Sequence, residues 1–336
     1  MKTVDMLEKL MVINARDPTH ILYRFTRREK TGYLSLLKKS GVTATCVDVS
    51  WPDDNFLEFA EGVTGWFRRV KSFGSEKAVI VKKIDDILEA KKTGKVSFIL
   101  SSQGTSMIGN DASKTAVITE MGIRMLELTY QSRNLVGDGC GEKTDCGLSK
   151  FGLDVIHEMN EQGIVVDLSH TGYRTSLEAM EVSEAPVVFS HSNVAALYDH
   201  PRNLTDEQIN LIADKGGVIG ISAYAPLLLE KGGEKRASVN DMVDHMEYII
   251  KLVGVEHVGI GLDVGESRTK EEGEIIHELA GVPGKAPKYR YVTELTSISG
   301  LPKLIEALAG RGYSQIEIEK ILGKNFLRVF NEVWRQ

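Results

Sequence analysis

The sequence predicts a (β/α)8 TIM barrel, an α/β fold, carrying one added C-terminal helix. Three observations carry this expectation. Short apolar runs rich in Val and Ile alternate with helix-period segments from end to end, the pattern of parallel strand–helix–strand crossovers. Eight such units can be read, and eight close a barrel more readily than they build an open sheet. No linker, low-complexity tract or internal repeat divides the 336 residues. Residues 1–336 are therefore read as one domain, at a length that α/β barrels commonly use.

The expected strands are Met11–Ile13, Ala44–Val49, Val96–Leu100, Arg124–Leu128, Ile164–Leu168, Val187–Phe189, Val218–Ala223 and Val258–Gly261, with an extra strand at Ala78–Val81. Each is a short apolar run bounded by polar or turn-forming residues. The expected helices are Lys30–Ser40, Asn55–Ser72, Ser113–Met121, Lys150–Gln162, Ser176–Val182, Asp206–Lys215, Asn240–Val253 and Pro302–Gly310. Glycines 41, 122, 163, 216, 254 and 310 stand where helix C-caps are needed. Thr175…Glu178, Thr205…Gln208 and Ser314…Glu317 have the spacing of capping boxes. The last helix, Gln315–Trp334, is expected to pack on the outside. Two long connections, Gln131–Ser149 and Asp263–Gly300, fall on the C-terminal face, where long loops serve as lids or binding loops.

Composition removes several classes of function. The formal net charge of −6 lacks the basic footprint of a nucleic-acid surface. No apolar run approaches the ~18 residues of a membrane span, and Asp5 and Glu8 interrupt the apolar start, which makes a poor signal peptide. The three cysteines, Cys46, Cys140 and Cys146, make no disulfide framework. The expected location is cytoplasmic, the expected partner a small molecule, with no nucleic acid and no membrane; a homodimer is left open.

His170 and His191 are the first candidates for chemistry. Each follows an apolar run and sits in the dipeptide Ser-His, in DLSH and in VVFSHS, with one helix-length segment between. Adjacent barrel strands bring both rings to one mouth, at the end where barrel chemistry sits. Either histidine alone is more readily a polar strand cap. Repetition at matched strand ends points instead to a pair of metal ligands. Asp263, ending HVGIGLDVG, is a carboxylate at the same rim, able to ligate a metal or act as general base. Arg202, in HPRNLTDEQ, is either a solvated loop residue or a bidentate grip for a carboxylate. Cys140, Glu142, Asp145 and Cys146 lack the C-x-x-C spacing of a zinc site; they are read as lid structure, with Cys140 or Glu142 as a supplementary ligand the alternative. His157 and His245 are read as helix-surface residues.

These motifs, in order, resemble the renal (membrane) dipeptidase family of metallopeptidases. GIRMLELTY, GIVVDLSHTGYRT, APVVFSHSN, HPRNLTDEQ, GVIGISAYA, EHVGIGLDVG and ILGKNFLRVFNEVW follow the family pattern over roughly residues 120–336. The resemblance implies a barrel with a metal site at its mouth and hydrolysis of dipeptides or related amides. It makes His170 and His191 ligands of one metal, Arg202 the grip on the substrate carboxylate, Tyr224 a residue of the substrate pocket and Asp263 the proton-handling acid.

The departures are as informative. The His-x-Asp pair that ends the family's first strand is missing from VINARDPTH, where Ala15 or Arg16 stands in the histidine position. Gln103 occupies the place of the bridging glutamate, and Tyr130 that of a substrate-contacting histidine. The half-site from strands one, three and four is thus expected to have lost its metal-binding charge. The reading that follows is a one-zinc dipeptidase-like hydrolase, with His170, His191 and the Gln103 oxygen as ligands, Asp263 as base, and Arg202, Tyr130 and Tyr224 around a small amide or dipeptide bearing a free carboxylate. Arg16 is read either as a rim salt bridge or as a charge in the vacated pocket. The alternative function is an inactive relative that binds a small carboxylate ligand or a partner protein.

Overall fold

A computed structural model describes residues 7, 9–19, 32–229, 236–264 and 289–334. His20, Lys285, Lys288 and most of the connection after the eighth strand lie outside them. Nine strands are found among the described residues: β1 Ile13–Asp17, β2 Ala44–Asp48, β3 Ala78–Ile80, β4 Val96–Gln103, β5 Ile123–Glu127, β6 Val165–Asp167, β7 Val188–Phe189, β8 Val218–Ile221 and β9 Val258–Ile260. Eight of them run β2-β1-β9-β8-β7-β6-β5-β4, and a β2–β4 pairing closes the barrel. All pairings are parallel. The short β3 is the extra strand. It pairs with the start of β4, Ile80 opposite Phe98, just before β5 takes over that edge at Leu100.

The helices are α1 Tyr33–Lys39, α2 Phe56–Phe73, α3 Ile84–Thr93, α4 Lys114–Glu120, α5 Lys150–Gln162, α6 Tyr173–Val182, α7 Asp206–Asp214, α8 Val239–Val253, α9 Leu301–Gly310, α10 Gln315–Glu319 and α11 Asn325–Val333. The boxes at Thr205/Gln208 and Ser314/Glu317 form as expected. That at Thr175/Glu178 does not: α6 begins at Tyr173, and the Thr175 hydroxyl instead donates to Asp145. At the end of α9 the left-handed glycine is Gly312 (φ 91°), not Gly310, which is still helical.

Strand alternation sorts the apolar residues into two layers. Phe98, Leu100, Leu126, Val166 and Phe189 point outward and pack under the helices. Ile13, Ala15, Ala44, Cys46, Ile99, Met125, Val165, Val188 and Val218 fill the inside of the barrel. The C-terminal segment belongs to that inner cluster, which corrects the expectation of an outer addition. Phe326, Val329, Phe330 and Trp334 join the inward-facing residues of the strand starts. They close the barrel floor. A π-helical turn, Lys320–Lys324, links α10 to α11 and brings Gly323 so near the Met11 carbonyl that an added Cβ would lie 2.4 Å from it.

Two details of register position the mouth. Between Asn14 and Asp17, β1 takes three steps while β2 takes two, Thr45 to Val47. The extra residue is a bulge, which reverses the inside–outside alternation. Ile13 and Ala15 face in, and after the bulge Arg16 faces in as well, while Asp17 turns outward to Tyr33 and Thr45. The second detail is Gly261, where a Cβ would lie 1.6 Å from the Ser190 carbonyl. Glycine alone lets the ends of β7 and β9 approach this closely.

His245 is not on the helix surface, as its sequence context suggests, but 2% exposed. Its Nδ1 accepts the Val194 N–H at 3.0 Å, tying α8 to the segment after β7 that carries Arg202. Burial is the main cause that lowers its pKa to about 4, against a hydrogen bond to Leu228 that raises it. Its unfolded value is about 6.5. Because the folded pKa is depressed, the stability is fully present above about pH 6.5 and is lost as pH falls toward 4, by about 3 kcal/mol. Denaturant unfolding at pH 7 and pH 4.5 checks this. Wild type should lose more stability on acidification than His245→Asn, which keeps an acceptor for Val194 but does not titrate. Equal losses would contradict it.

Candidate metal and active site

The ends of β6 and β7 are built by one carboxylate and two serines. Asp167 Oδ1 accepts the backbone N–H of Ser169 at 3.0 Å and of Ser190 at 2.9 Å. The Ser169 hydroxyl accepts the His191 N–H at 3.0 Å, and the Ser190 hydroxyl meets His191 Nδ1 at 2.8 Å. The repeated Ser-His thus has a mechanical basis. Each serine secures a strand end, and Ser190 occupies Nδ1 of His191, which leaves Nε2 to face the mouth. His170 takes a left-handed backbone conformation (φ 65°), rare for a residue with a side chain and a mark of functional positions. Its Nε2 comes within 3.0 Å of Nε2 of His191.

Glu127 at the end of β5 completes the group. One of its carboxylate oxygens and one nitrogen from each histidine all lie within 4.8 Å of one another, and all three residues are buried. Neither Glu127 oxygen has a hydrogen-bond partner. A buried carboxylate in that condition is strongly disfavoured unless a proton or a cation neutralises it. Burial is the first cause pushing the Glu127 carboxyl well above its usual range, opposed by Arg16. Burial, joined by Arg202 and Arg16, holds both histidines well below theirs. They are neutral imidazoles with lone pairs to give. Two neutral imidazoles and one carboxylate are a donor set that suits Zn²⁺, with room for a further ligand. The chain's own orphaned atoms therefore fit a divalent ion.

Glu127 corrects the expectation that strand four has lost its metal-binding charge. Gln103, expected as a ligand, stands directly across the β4–β5 pairing from Glu127, buried, with its side-chain oxygen unpartnered. Sequence reasoning passes over Glu127 because it sits inside an expected strand, RMLELTY. The signal was there: Met125 and Glu127 share the inward parity, and a glutamate on a fully enclosed strand face needs a partner.

Arg16 corrects the rim reading. It is 1% exposed, inside the barrel, with Nη1 on Asp48 Oδ1 at 2.7 Å. Ser101 donates to the same oxygen. Nε and Nη2 of Arg16, and Oδ2 of Asp48, have no partner. Burial acts to lower the Arg16 pKa, but Asp48, Glu127, Asp263 and Asp167 together outweigh it and raise it. Burial lifts Asp48 to about 7 despite Arg16.

The remaining expected residues surround this centre. Arg202 is buried and donates to the His191 carbonyl at 2.8 Å and the Ser192 hydroxyl at 3.3 Å. With His170, Ser192 and His200 it lines a cavity of about 180 Å³. The Tyr130 ring stacks on His170, centroids 4.1 Å apart. Burial first, then Asp263 and Glu127, raise the Tyr130 pKa. Tyr224 is half-buried, with the Arg290 guanidinium 5.9 Å from its ring centroid. Asp263 is half-buried, is held in a left-handed conformation (φ 53°) and donates its N–H to the Arg16 carbonyl at 3.2 Å. The Cys140–Cys146 segment is a bonded loop beside the site. Glu142 accepts the Arg133 N–H, Asp145 accepts the N–H groups of Arg174 and Thr175, and the Cys140 N–H donates to the His170 carbonyl. Burial raises the Cys140 thiol to about 11.

Among solved structures, an amidohydrolase from Pseudomonas aeruginosa superposes with a TM-score of 0.88 and 28% identity, each chain covered to 99%. A metallopeptidase from Rhodobacter sphaeroides, solved with a phosphinate mimic of the dipeptide L-Ala-D-Ala, superposes with a TM-score of 0.83 at 20% identity, over 97% of this chain and 99% of that one; it speaks for the fold alone. Dipeptidase tcpJ of Claviceps purpurea is 32% identical over 268 residues, 79% of this chain but only 58% of its own length. The profile of the membrane dipeptidases, peptidase family M19, matches residues 34–276 and 287–335. The chain thus belongs to the membrane dipeptidase family.

Proposed function

We propose that this chain is a one-zinc hydrolase that cleaves a small amide, such as a dipeptide, bearing a free carboxylate. The observation that carries the reading is the buried Glu127–His170–His191 group with both glutamate oxygens unpartnered. These three residues hold the ion, and the Gln103 oxygen, next to Glu127 in register, is a fourth donor. A zinc ion there makes water acidic enough to be a nucleophile near neutral pH. The protein's own residues do the rest. Asp263 takes the water's proton and returns it to the leaving amine. Arg202, braced on the His191 carbonyl, directs its charge to the substrate carboxylate in the adjoining cavity. Tyr130 and Tyr224 bound the substrate on either side. No helix among the described residues is long and apolar enough to cross a membrane.

Elemental analysis of protein purified without chelator should find one zinc per chain. Glu127→Gln and the His170→Ala, His191→Ala double variant should lose it. Zinc retained by that double variant would contradict the ligand assignment. Asp263→Asn should keep the zinc and lower kcat on a panel of L-L and L-D dipeptides by about 10²- to 10⁴-fold. A folded, zinc-loaded wild type with no turnover on any of them would favour a ligand-binding relative instead.

Arg202→Met should raise KM for substrates with a free carboxylate by about 10- to 100-fold, the worth of a charge-assisted hydrogen bond. The same variant should change little for the corresponding amidated substrates. Equal effects on both would remove Arg202 from the carboxylate site.

A further inference from the structure

We infer that Arg16 is a catalytic residue, whose free guanidinium edge receives the oxyanion formed when the amide carbonyl is attacked. The inference rests on the metallohydrolase reading above and assigns a role that the metal ligands and Asp263 do not fill. Three observations carry it. The β1 bulge turns Arg16 into the barrel at the level of the site. β1 stands across the mouth from β6 and β7, separated from them by β9 and β8 on one side and by β2, β4 and β5 on the other. Arg16 thus comes to the site from a different strand than Arg202, and its guanidinium acts electrostatically on Glu127, His170 and His191 alike. Finally, Asp48 holds Arg16 through Nη1 only, so that Nε and Nη2, the two parallel donors of the side-on edge, are buried without a partner.

A purely structural ion pair would use that edge, because two parallel N–H bonds to a carboxylate are worth more than one. Here the edge is withheld from Asp48, although Asp48 Oδ2 is itself unpartnered. Each buried, unmade donor is a standing cost to the fold. Such a cost is recovered when an anion forms in front of it, and a fixed, dehydrated donor pair needs no reorganisation at that moment. The substrate carboxylate does not fill this role if Arg202 takes it on the opposite wall.

The water oxygen bonds to the carbonyl carbon, its proton passes to Asp263, and the C=O π pair moves onto the carbonyl oxygen. Nε–H and Nη2–H of Arg16 bind that negative oxygen. The pair then re-forms the C=O bond, the C–N bond breaks, and the proton on Asp263 goes to the departing amine nitrogen.

The test uses two variants of the zinc-loaded protein. Arg16→Lys keeps the charge beside Asp48 but loses the edge. Arg16→Met with Asp48→Asn removes the pair together and leaves no stranded carboxylate. The probe is a phosphinate dipeptide mimic, a tetrahedral anion, with its affinity measured by calorimetry and zinc content measured on the same samples. Both variants should keep one zinc and bind the phosphinate about 100-fold more weakly. They should lose a similar factor in kcat with KM nearly unchanged. Phosphinate affinity within threefold of wild type would overturn the assignment. So would loss of zinc in both variants, which would make Arg16 a support of the ligand set. A wild type that holds no zinc would overturn the metallohydrolase reading itself, and this inference with it.

Discussion

The upper interior of this barrel holds buried charge that its own hydrogen bonds do not neutralise. Asp48, Glu127 and Asp167 all point inward, each with at least one oxygen unpartnered, and among the described inward-facing strand residues only Arg16 brings a positive charge to them. Uncompensated carboxylates in an enclosed space are expensive. The layer below is largely apolar, with Phe326 and Phe330 at its floor. A bound cation would neutralise this charge without protonating the carboxylates. The two imidazoles beside Glu127, kept neutral by burial and by two guanidinia, suit one.

The surrounding backbone is spent on holding that layer still. Asp167 fastens two strand ends with one oxygen. Gly261 allows β7 and β9 to close up. His170 and Asp263 both keep left-handed backbone conformations, a local strain that packed surroundings must hold in place. His245 fixes the segment leading to Arg202 from the outer helix layer. Stability from the two apolar clusters thus supports a polar centre that contributes little stability of its own.

Much of this was legible in the chain. Strand–helix alternation led to the barrel, and the two Ser-His strand ends, Arg202 and Asp263 do converge on one mouth. What stayed hidden has physical causes. A bulge reverses side-chain parity without leaving a mark in a five-residue strand, so the sequence did not decide between a rim and an interior place for Arg16. Glu127 was absorbed into an apolar run, although its place two residues after inward Met125 made it a buried charge. His245 stands three residues after Met242 and four before Ile249, on the buried face of α8, yet its polarity argued for solvent. The C-terminal helix has the period of any amphipathic helix, and period alone does not distinguish a barrel's floor from its outer wall.

The proposed site places one metal ion on Glu127, His170 and His191, with the Arg16–Asp48 pair standing beside it in place of a second ion. Anomalous diffraction at the zinc edge, from crystals grown with excess zinc, tests it most directly. One peak is expected at the mouth, roughly 2 Å from a Glu127 oxygen and from one nitrogen of each histidine. No peak there, or a second ion alongside that displaces Arg16 from Asp48, would contradict it.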